Sequence, residues 1–517
     1  MADTQGRTSK KLVLVAMIFT VSMTFIDQTI VSIAVPEIQD DVGLSSTGAQ
    51  WIVNGYLLAL AALFAFGGRI ADIAGRRRMV LIGIAIFAGA SALCGATPDD
   101  SIAEAWLIVF RVIQGAGAAI MFPAALAIVV GAYPQGERGK ALAIFFGVAG
   151  GMTALGPLAG GYLIDISWRT IFWINIPVAI ASVVLILRSK PEDKRRPAPL
   201  DYRGTVLFAL GMGLLVLGLQ QASDWGWDDV KTWGSIVLGV AIMAGFVVSQ
   251  LSTASPLIQV RTFANRAFST DNVILFLISI AFVPMFLYAS MYSQISLGDD
   301  ASQAGLYLGL FFIGFVIAAQ WGGRLLDKQG AKAAAVPGCA IAAAGFFLWA
   351  ETMPDIAYSD GGGWWRVVLA GAGTGLILGP VSTDALNRAP GTSYGEVTGI
   401  TQTARNLGAS LGLAVLGTLL ISQNRTNVVD KLTSLTGSDH VPHADAVEVA
   451  NSLSQHSAGT GDATGHASAA QFQAVQDAFA LSSQTVFYVM AGAMAVAFLV
   501  ALAGLPRGKA PEAEIVE

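Results

Sequence analysis

Two charges set inside apolar sequence are the residues of this chain with chemistry to perform. Asp27 stands in "MTFIDQTI", well inside a long apolar run, and Arg111 stands in "FRVIQGAG", about seven residues into another. In a bilayer neither charge is tolerable alone. Intramembrane ionisable groups face a bundle interior or a wet cavity, and pair with one another or with backbone carbonyls. Asp27 is the obvious partner for Arg111, and Gln114, one turn on, can complete a hydrogen-bonded network. A proton arriving on Asp27 would weaken such a pair, which is what proton coupling requires. Two blander readings stand beside it: a solvated acid at a cavity mouth with no proton role, and a static ion pair.

A second polar cluster reads "GGRIADIAGRRR" (67–78). Gly67 and Gly68 are expected to let the chain turn sharply between two apolar runs. Arg76, Arg77 and Arg78 anchor the turn at a membrane face. Asp72 can pair with a neighbouring arginine or accept from a helix N-terminus, forming a latch that must break when the molecule changes shape. The stretch recurs as "GGRLLDKQGAK" (322–332). At a shift of 255, Gly67, Gly68, Arg69, Asp72 and Gly75 fall on Gly322, Gly323, Arg324, Asp327 and Gly330, and Arg111 falls on Arg366. A repeat of half the chain in the same membrane orientation marks a protein built from two parallel halves.

Composition supplies the elements that must position these groups. The 517 residues are 54% hydrophobic and 13% charged, against about 25% charged in an ordinary soluble domain. Apolar segments recur, each long enough to cross a hydrocarbon core of about 30 Å. No barrel-type alternation is present, so the chain reads as an all-α polytopic membrane protein. Fourteen spans are expected, from 12–34 to 480–504, and the first is read as a span rather than a cleaved signal. Of the 30 lysines and arginines, 23 lie in the termini and in the loops after even-numbered spans. The opposite face carries acids, in "PEIQDD", "TPDD", "DWGWDD" and "LGDD". This asymmetry puts both termini in the cytoplasm. The net charge of −5 reflects those outer loops and argues against a nucleic-acid partner. Cys94 and Cys339 fall inside spans and read as unpaired packing residues. The expected organisation is a six-helix half (1–190), a basic linker with extra helices 7 and 8 (191–255), helices 9–13 (256–422), an outer hairpin loop (423–479), and helix 14 with a cytoplasmic tail (480–517).

At this point the chain resembles the major facilitator superfamily, specifically its fourteen-helix drug:proton antiporter branch. "FIDQTIVSIAVP" (25–36) is similar to the branch's first-helix signature, and "GGRIADIAGRRR" to the superfamily's loop 2–3 motif. "FRVIQGAGAA" (110–119), "GMTALGPLAGG" (151–161) and "SWRTIFWINIP" (167–177) resemble the fourth-, fifth- and sixth-helix motifs. The resemblance implies a major facilitator fold of two six-helix halves plus two central extra helices. It also implies exchange of inward protons for outward lipophilic, often cationic, drugs across the cytoplasmic membrane, by a monomer with no cofactor or metal. The antiporter segment maps onto Gly156, Pro157, Gly160 and Gly161, with Met152 where the family favours glycine.

A substrate pocket is expected near mid-membrane between the halves, lined by aromatic and flexible side chains. Its candidates are Phe25, Trp51, Asn54, Tyr56, Gln114 and Phe286, with Phe282, Met285, Tyr288 and Met291 nearby. In the second half Asp384 reads as a surface pair with Arg388, and Asp271 and Glu351 read as interfacial. That leaves Asp27 as the acid placed in the central cavity. The outer loop holds two amphipathic pieces and all four histidines (440, 443, 456, 466); a cover for the exit and a tolerated insertion are both open. No phosphate-binding G-x-x-x-x-G-K-[ST] is present, which argues against an ATP-driven pump. No histidine lies within a span, which argues against a membrane enzyme. An exporter of one endogenous compound (a lipid, siderophore or antibiotic) is the alternative on the same fold.

Overall fold

The computed structural model describes residues 2–133, 135–191, 199–356, 362–388, 394–436, 439–455 and 468–509. Much of the basic linker, including Arg195 and Arg196, lies outside these residues, as do His456 and His466. The described residues form helices and connecting turns, with no strand among them. The long helices are α1 (Ala2–Val42), α2 (Ser46–Ala74), α3 (Arg76–Gly95), α4 (Ala103–Ala132), α5 (Gln135–Ile164), α6 (Asn175–Ser189), α7 (Tyr202–Gln220) and α8 (Val230–Ser252). After a short 3-10 turn follow α9 (Arg266–Tyr292), α10 (Ala301–Gln329), α11 (Ala331–Thr352), α12 (Trp364–Arg388), α13 (Tyr394–Ser434) and α14 (Ala469–Gly504). Thirteen helices among the described residues are long and apolar enough to cross a membrane. The partly described α5 stands where the remaining expected span falls.

Each half is a bundle in which α2 and α3 pack on α4, and α10 and α11 pack on α12. The halves meet along α1–α9, α2–α13 and α5–α10, the last two contacts being the same pair exchanged by the repeat. The extra helices α7 and α8 pack on each other, and α7 lies against both α2 and α13. They therefore flank the seam between the halves. We call the face with both termini cytoplasmic, following the charge asymmetry.

The turn between α2 and α3 departs from expectation. Gly67 and Gly68 lie inside α2, whereas the chain reverses at Gly75, which takes φ +104°. Gly330 does the same in the second half, at φ +88°. Only glycine enters that region at little cost, and one such residue suffices to end a helix and start the next. The first glycine of each pair serves packing instead. A Cβ on Gly67 would lie 2.1 Å from the Ala119 carbonyl oxygen of α4, and one on Gly322 2.7 Å from the Leu376 carbonyl oxygen of α12.

The outer region is built rather than loose over its described residues. α13 continues past the span, and a further helix at His443–Gln455 packs between it and the first turns of α14. Val428, Leu432, Ala446, Ala450, Val475 and Ala478 form a buried cluster separate from the main core. The boundaries expected at 423 and 479 fall within continuous helices.

Candidate functional site

The first charged pair does meet. Arg111 Nη1 donates to Asp27 Oδ2 at 2.6 Å and to Gln114 Oε1 at 2.7 Å, and Gln114 Nε2 donates to Asp27 Oδ1 at 2.8 Å. Both carboxyl oxygens are thereby satisfied, and all three side chains are fully buried. Arg111 Nε donates to the Ile52 carbonyl at 2.9 Å, and its guanidinium carbon lies 4.4 Å from the centre of the Tyr56 ring. The charge is thus spread over a carboxylate, an amide, a carbonyl and an aromatic face, which is how a bundle interior holds an ion. α1, α2 and α4 each supply part of the site, so a relative shift of any one disturbs it.

The glycine-rich fifth helix packs directly behind Asp27. A Cβ on Gly156 would lie 1.9 Å from Thr29 Oγ1, and one on Gly160 2.8 Å from Ile30. Thr29 Oγ1 donates across to the Thr153 carbonyl at 3.1 Å. On its other flank α5 approaches the second half: Gly161 lies against Ala301, and the Pro157 carbonyl against Gly305. One segment therefore touches both the helix carrying Asp27 and the opposite half.

The substrate candidates divide. Phe25 packs on Phe122 (centroids 5.7 Å apart), and Tyr56 is committed to Arg111. Asn54 bridges the seam: it accepts from Ser410 Oγ at 2.5 Å, donates to the Ser410 carbonyl at 3.2 Å, and its amide meets that of Gln220 on α7 at 2.6 Å. Trp51 is half-buried one turn away. Phe286 sits fully buried among Phe282, Phe311 and Phe312, stacked 5.3 Å from the last. The repeat position of Asp27 is Phe282, which packs on Phe286, Phe311 and Phe315, so the second half has aromatic rings where the first has its polar network. Arg366, aligned with Arg111, instead stacks on Trp365 near the outer start of α12.

The loop 2–3 motif forms its pair locally. Arg76 donates to Asp72 Oδ1 at 2.8 and 3.0 Å and to the Ala127 carbonyl of α4 at 3.1 Å. In this state the contacts lie within the first half and do not cross the seam. In the repeat, Asp327 is exposed and forms no ion pair among the described residues. A Cβ on Gly323 would meet nothing within 4 Å, and one on Gly68 only Pro123 at 3.4 Å. Because the Asp72–Arg76 pair is half-exposed, Asp72→Asn is expected to change stability by under about 1 kcal/mol. Melting of the purified variant checks this; a larger loss would mean the pair holds the turn together.

Polar contacts across the seam cluster away from the cytoplasmic face. Besides Asn54–Ser410, Gln294 Nε2 donates to the Ile33 carbonyl at 3.1 Å, and Ser302 donates to Asp165. Close packing of Gly417 against Gln50 and of Gly161 against Ala301 continues the pattern. The halves touch at these outer positions, beside a cavity lined by Gln39, Gln50, Tyr288, Met291 and Leu420. Two acids sit deeper than the sequence indicates. Asp271 is fully buried rather than interfacial, and Asp384, paired with Arg388 at 2.6 Å, is 1% exposed rather than on the surface. Gln220 and Ser410 had no motif to mark them.

Two parallel six-helix halves, the first enclosing a buried ion pair, are the architecture of a membrane transporter. The chain belongs to the Major Facilitator Superfamily, whose family model matches residues 17–413. It is 35% identical over 420 residues to the tetracenomycin C resistance and export protein of Streptomyces glaucescens, covering 79% of this chain and 76% of that one. It is 30% identical to the multidrug transporter protein MdtP of Bacillus subtilis (83% and 79% covered) and 32% identical to the puromycin resistance protein pur8 of Streptomyces alboniger (81% and 84%). Among solved structures, an inward-facing bacterial homologue of the lysosomal transporter Spinster superposes with a TM-score of 0.59 over 96% of this chain and 98% of that one, at 16% identity. The protein is a multi-pass membrane transporter, and several of its relatives are named as antibiotic or multidrug exporters.

Proposed function

We propose that this protein is a proton-coupled antiporter that exports lipophilic, cationic drugs across the cytoplasmic membrane by alternating access. The observation that carries the reading is the buried Asp27–Arg111–Gln114 network. A proton on Asp27 removes the charge that holds Arg111, so the site has two states of different electrostatics. α5 links that change to the seam, because it touches Thr29 on one side and Ala301 on the other. Asp72 with Arg76, beside Gly68, serves as a latch at the cytoplasmic end of α2 that breaks as the halves rock, and Gly323 with Asp327 stands at the equivalent place in the second half. Substrate passes between the halves, beside Phe25, Trp51, Asn54 and Tyr56, with both termini cytoplasmic. Domains 1–190 and 256–422 with 480–517 move against each other, and no partner chain is needed.

The test is ethidium uptake into inverted vesicles, with and without an imposed proton gradient. Gradient-driven uptake is expected in the native chain and is expected to vanish in Asp27→Asn. Uptake that survives in Asp27→Asn removes Asp27 as the coupling group. A second reading, export of one endogenous compound such as a lipid, siderophore or antibiotic, draws on relatives named for tetracenomycin C and cephamycin export. Absence of ethidium uptake by the native chain would favour it.

A further inference from the structure

We propose that Asp271 is a second proton-binding group, placed in the carboxyl-terminal half and separate from the Asp27 network. The inference deepens the antiport reading and rests on it for its role in transport, but the proton site itself stands on geometry. α9 starts at Arg266, capped by Asn265, whose side chain accepts from the Ala267 and Phe268 amides at 3.0 and 3.2 Å. Little more than one turn on, Asp271 is 0% exposed, and neither carboxyl oxygen has a hydrogen-bond partner among the described residues. The start of α9 is covered by the extra helices and by α12 and α13, through Phe208, Phe246, Phe268, Ala385 and Ile400.

The charges around it do not compensate it. Asp384 and Arg388 on α12 are close enough to act on Asp271. Arg388 is committed to Asp384 Oδ2, and Asp384 Oδ1 is itself without a partner. On α13, Arg405 donates to Gln402 at 2.8 Å. Arg266 on α9 itself donates to the Ala503 carbonyl, and Arg261 of the 3-10 turn donates to the Leu251 carbonyl. α14 has no acidic or basic residue between Ala478 and Gly504, and its tyrosine there, Tyr488, donates to Glu351. α10 carries Arg324, Asp327 and Lys328 toward its exposed cytoplasmic end, and α1 accepts from Gln294 beyond the far, outer end of α9.

Among the described residues, three buried carboxyl oxygens thus lack a donor; Arg388, Arg266 and Arg261 are engaged elsewhere, and Arg405, whose Nε is unpaired, donates to Gln402 and not to Asp271. A buried carboxylate with no donor is far more costly than the neutral acid, and such a group takes a proton instead. The same region holds unpaired polar atoms on Asn272, Thr403 and Asn406. Movement of α13 can bring the Thr403 hydroxyl or the Asn406 amide onto Asp271, and movement of α12 can bring Arg388, releasing the proton toward the cytoplasmic face.

The experiment is infrared difference spectroscopy of the purified full chain through a pH titration. The native protein is expected to show a protonated-carboxyl stretching band that falls at alkaline pH, is lost in Asp271→Asn and is retained in Asp27→Asn. Identical bands in the native chain and Asp271→Asn would overturn the proposal, as would a band in which pH makes no change. Should Asp271→Asn fail to fold, Asp271→Glu must shift the band in frequency, and an unmoved band overturns it equally. The readout needs no substrate. A native chain that moves no ethidium therefore bears on the antiport reading alone.

Discussion

Arg111→Met is expected to destabilise the protein by about 3–5 kcal/mol, because it leaves the Asp27 carboxylate buried without its cation. Gln114 would still donate one hydrogen bond at 2.8 Å, which does not neutralise a charge. The double variant Asp27→Asn/Arg111→Met should recover most of that loss, since replacing a buried ion pair by neutral groups of similar volume is close to neutral. Asp27→Asn alone should be milder than Arg111→Met. The arginine it leaves behind keeps the Ile52 carbonyl, Gln114 and the Tyr56 ring. Thermal melting of the four purified proteins gives the cycle directly. If the double variant is as unstable as Arg111→Met, the pair is not what makes Arg111 necessary.

A second large effect separates two adjacent glycines that the motif treats alike. Gly67→Ala sets a methyl group 2.1 Å from the Ala119 backbone oxygen, so α2 and α4 must move apart. Overpacking of this kind typically costs 1–3 kcal/mol, and here the obstacle is backbone rather than a flexible side chain. Gly68→Ala meets only the Pro123 ring at ordinary contact distance. The same asymmetry is expected between Gly322→Ala and Gly323→Ala, with Gly323→Ala innocuous. Folded yield of the four variants in detergent checks it, and a defect in Gly68→Ala equal to that in Gly67→Ala would refute the packing explanation.

The contrast shows what the sequence could and could not carry. An acid and an arginine inside apolar runs announce themselves, because lipid forbids them without partners, so Asp27 and Arg111 were legible. The 255-residue repeat likewise announced two halves. It paired Gly75 with Gly330, the true turn residues, but the doubled glycine ahead of each looked more like a turn than the single one. Asp271 was misread for a related reason. Five residues from Arg266, it lies at the end of an apolar run, where an acid is normally wet. Burial there comes from α12, α13 and α14, which fold over the start of α9 from distant parts of the chain. Phe286 was expected at the pocket, yet its neighbours are rings from its own helix and α10. Alternation along one helix cannot say which face meets another helix and which meets a cavity.

The outer hairpin has a mechanical meaning. α13 runs unbroken for 41 residues, about 60 Å at 1.5 Å per residue. Neither its outer stretch (418–434) nor the facing stretch of α14 (469–491) contains glycine or proline, so neither has a hinge. With their own buried cluster between them, they form a stiff mast built on the carboxyl-terminal half, whose helix at His443–Gln455 also touches α2 of the first half. Each degree of tilt in that half moves the far end of such a mast by about 1 Å over its length. The hairpin is therefore an indicator needle for the membrane-embedded motion, and anything that grips it from outside acts on the whole half through a long lever.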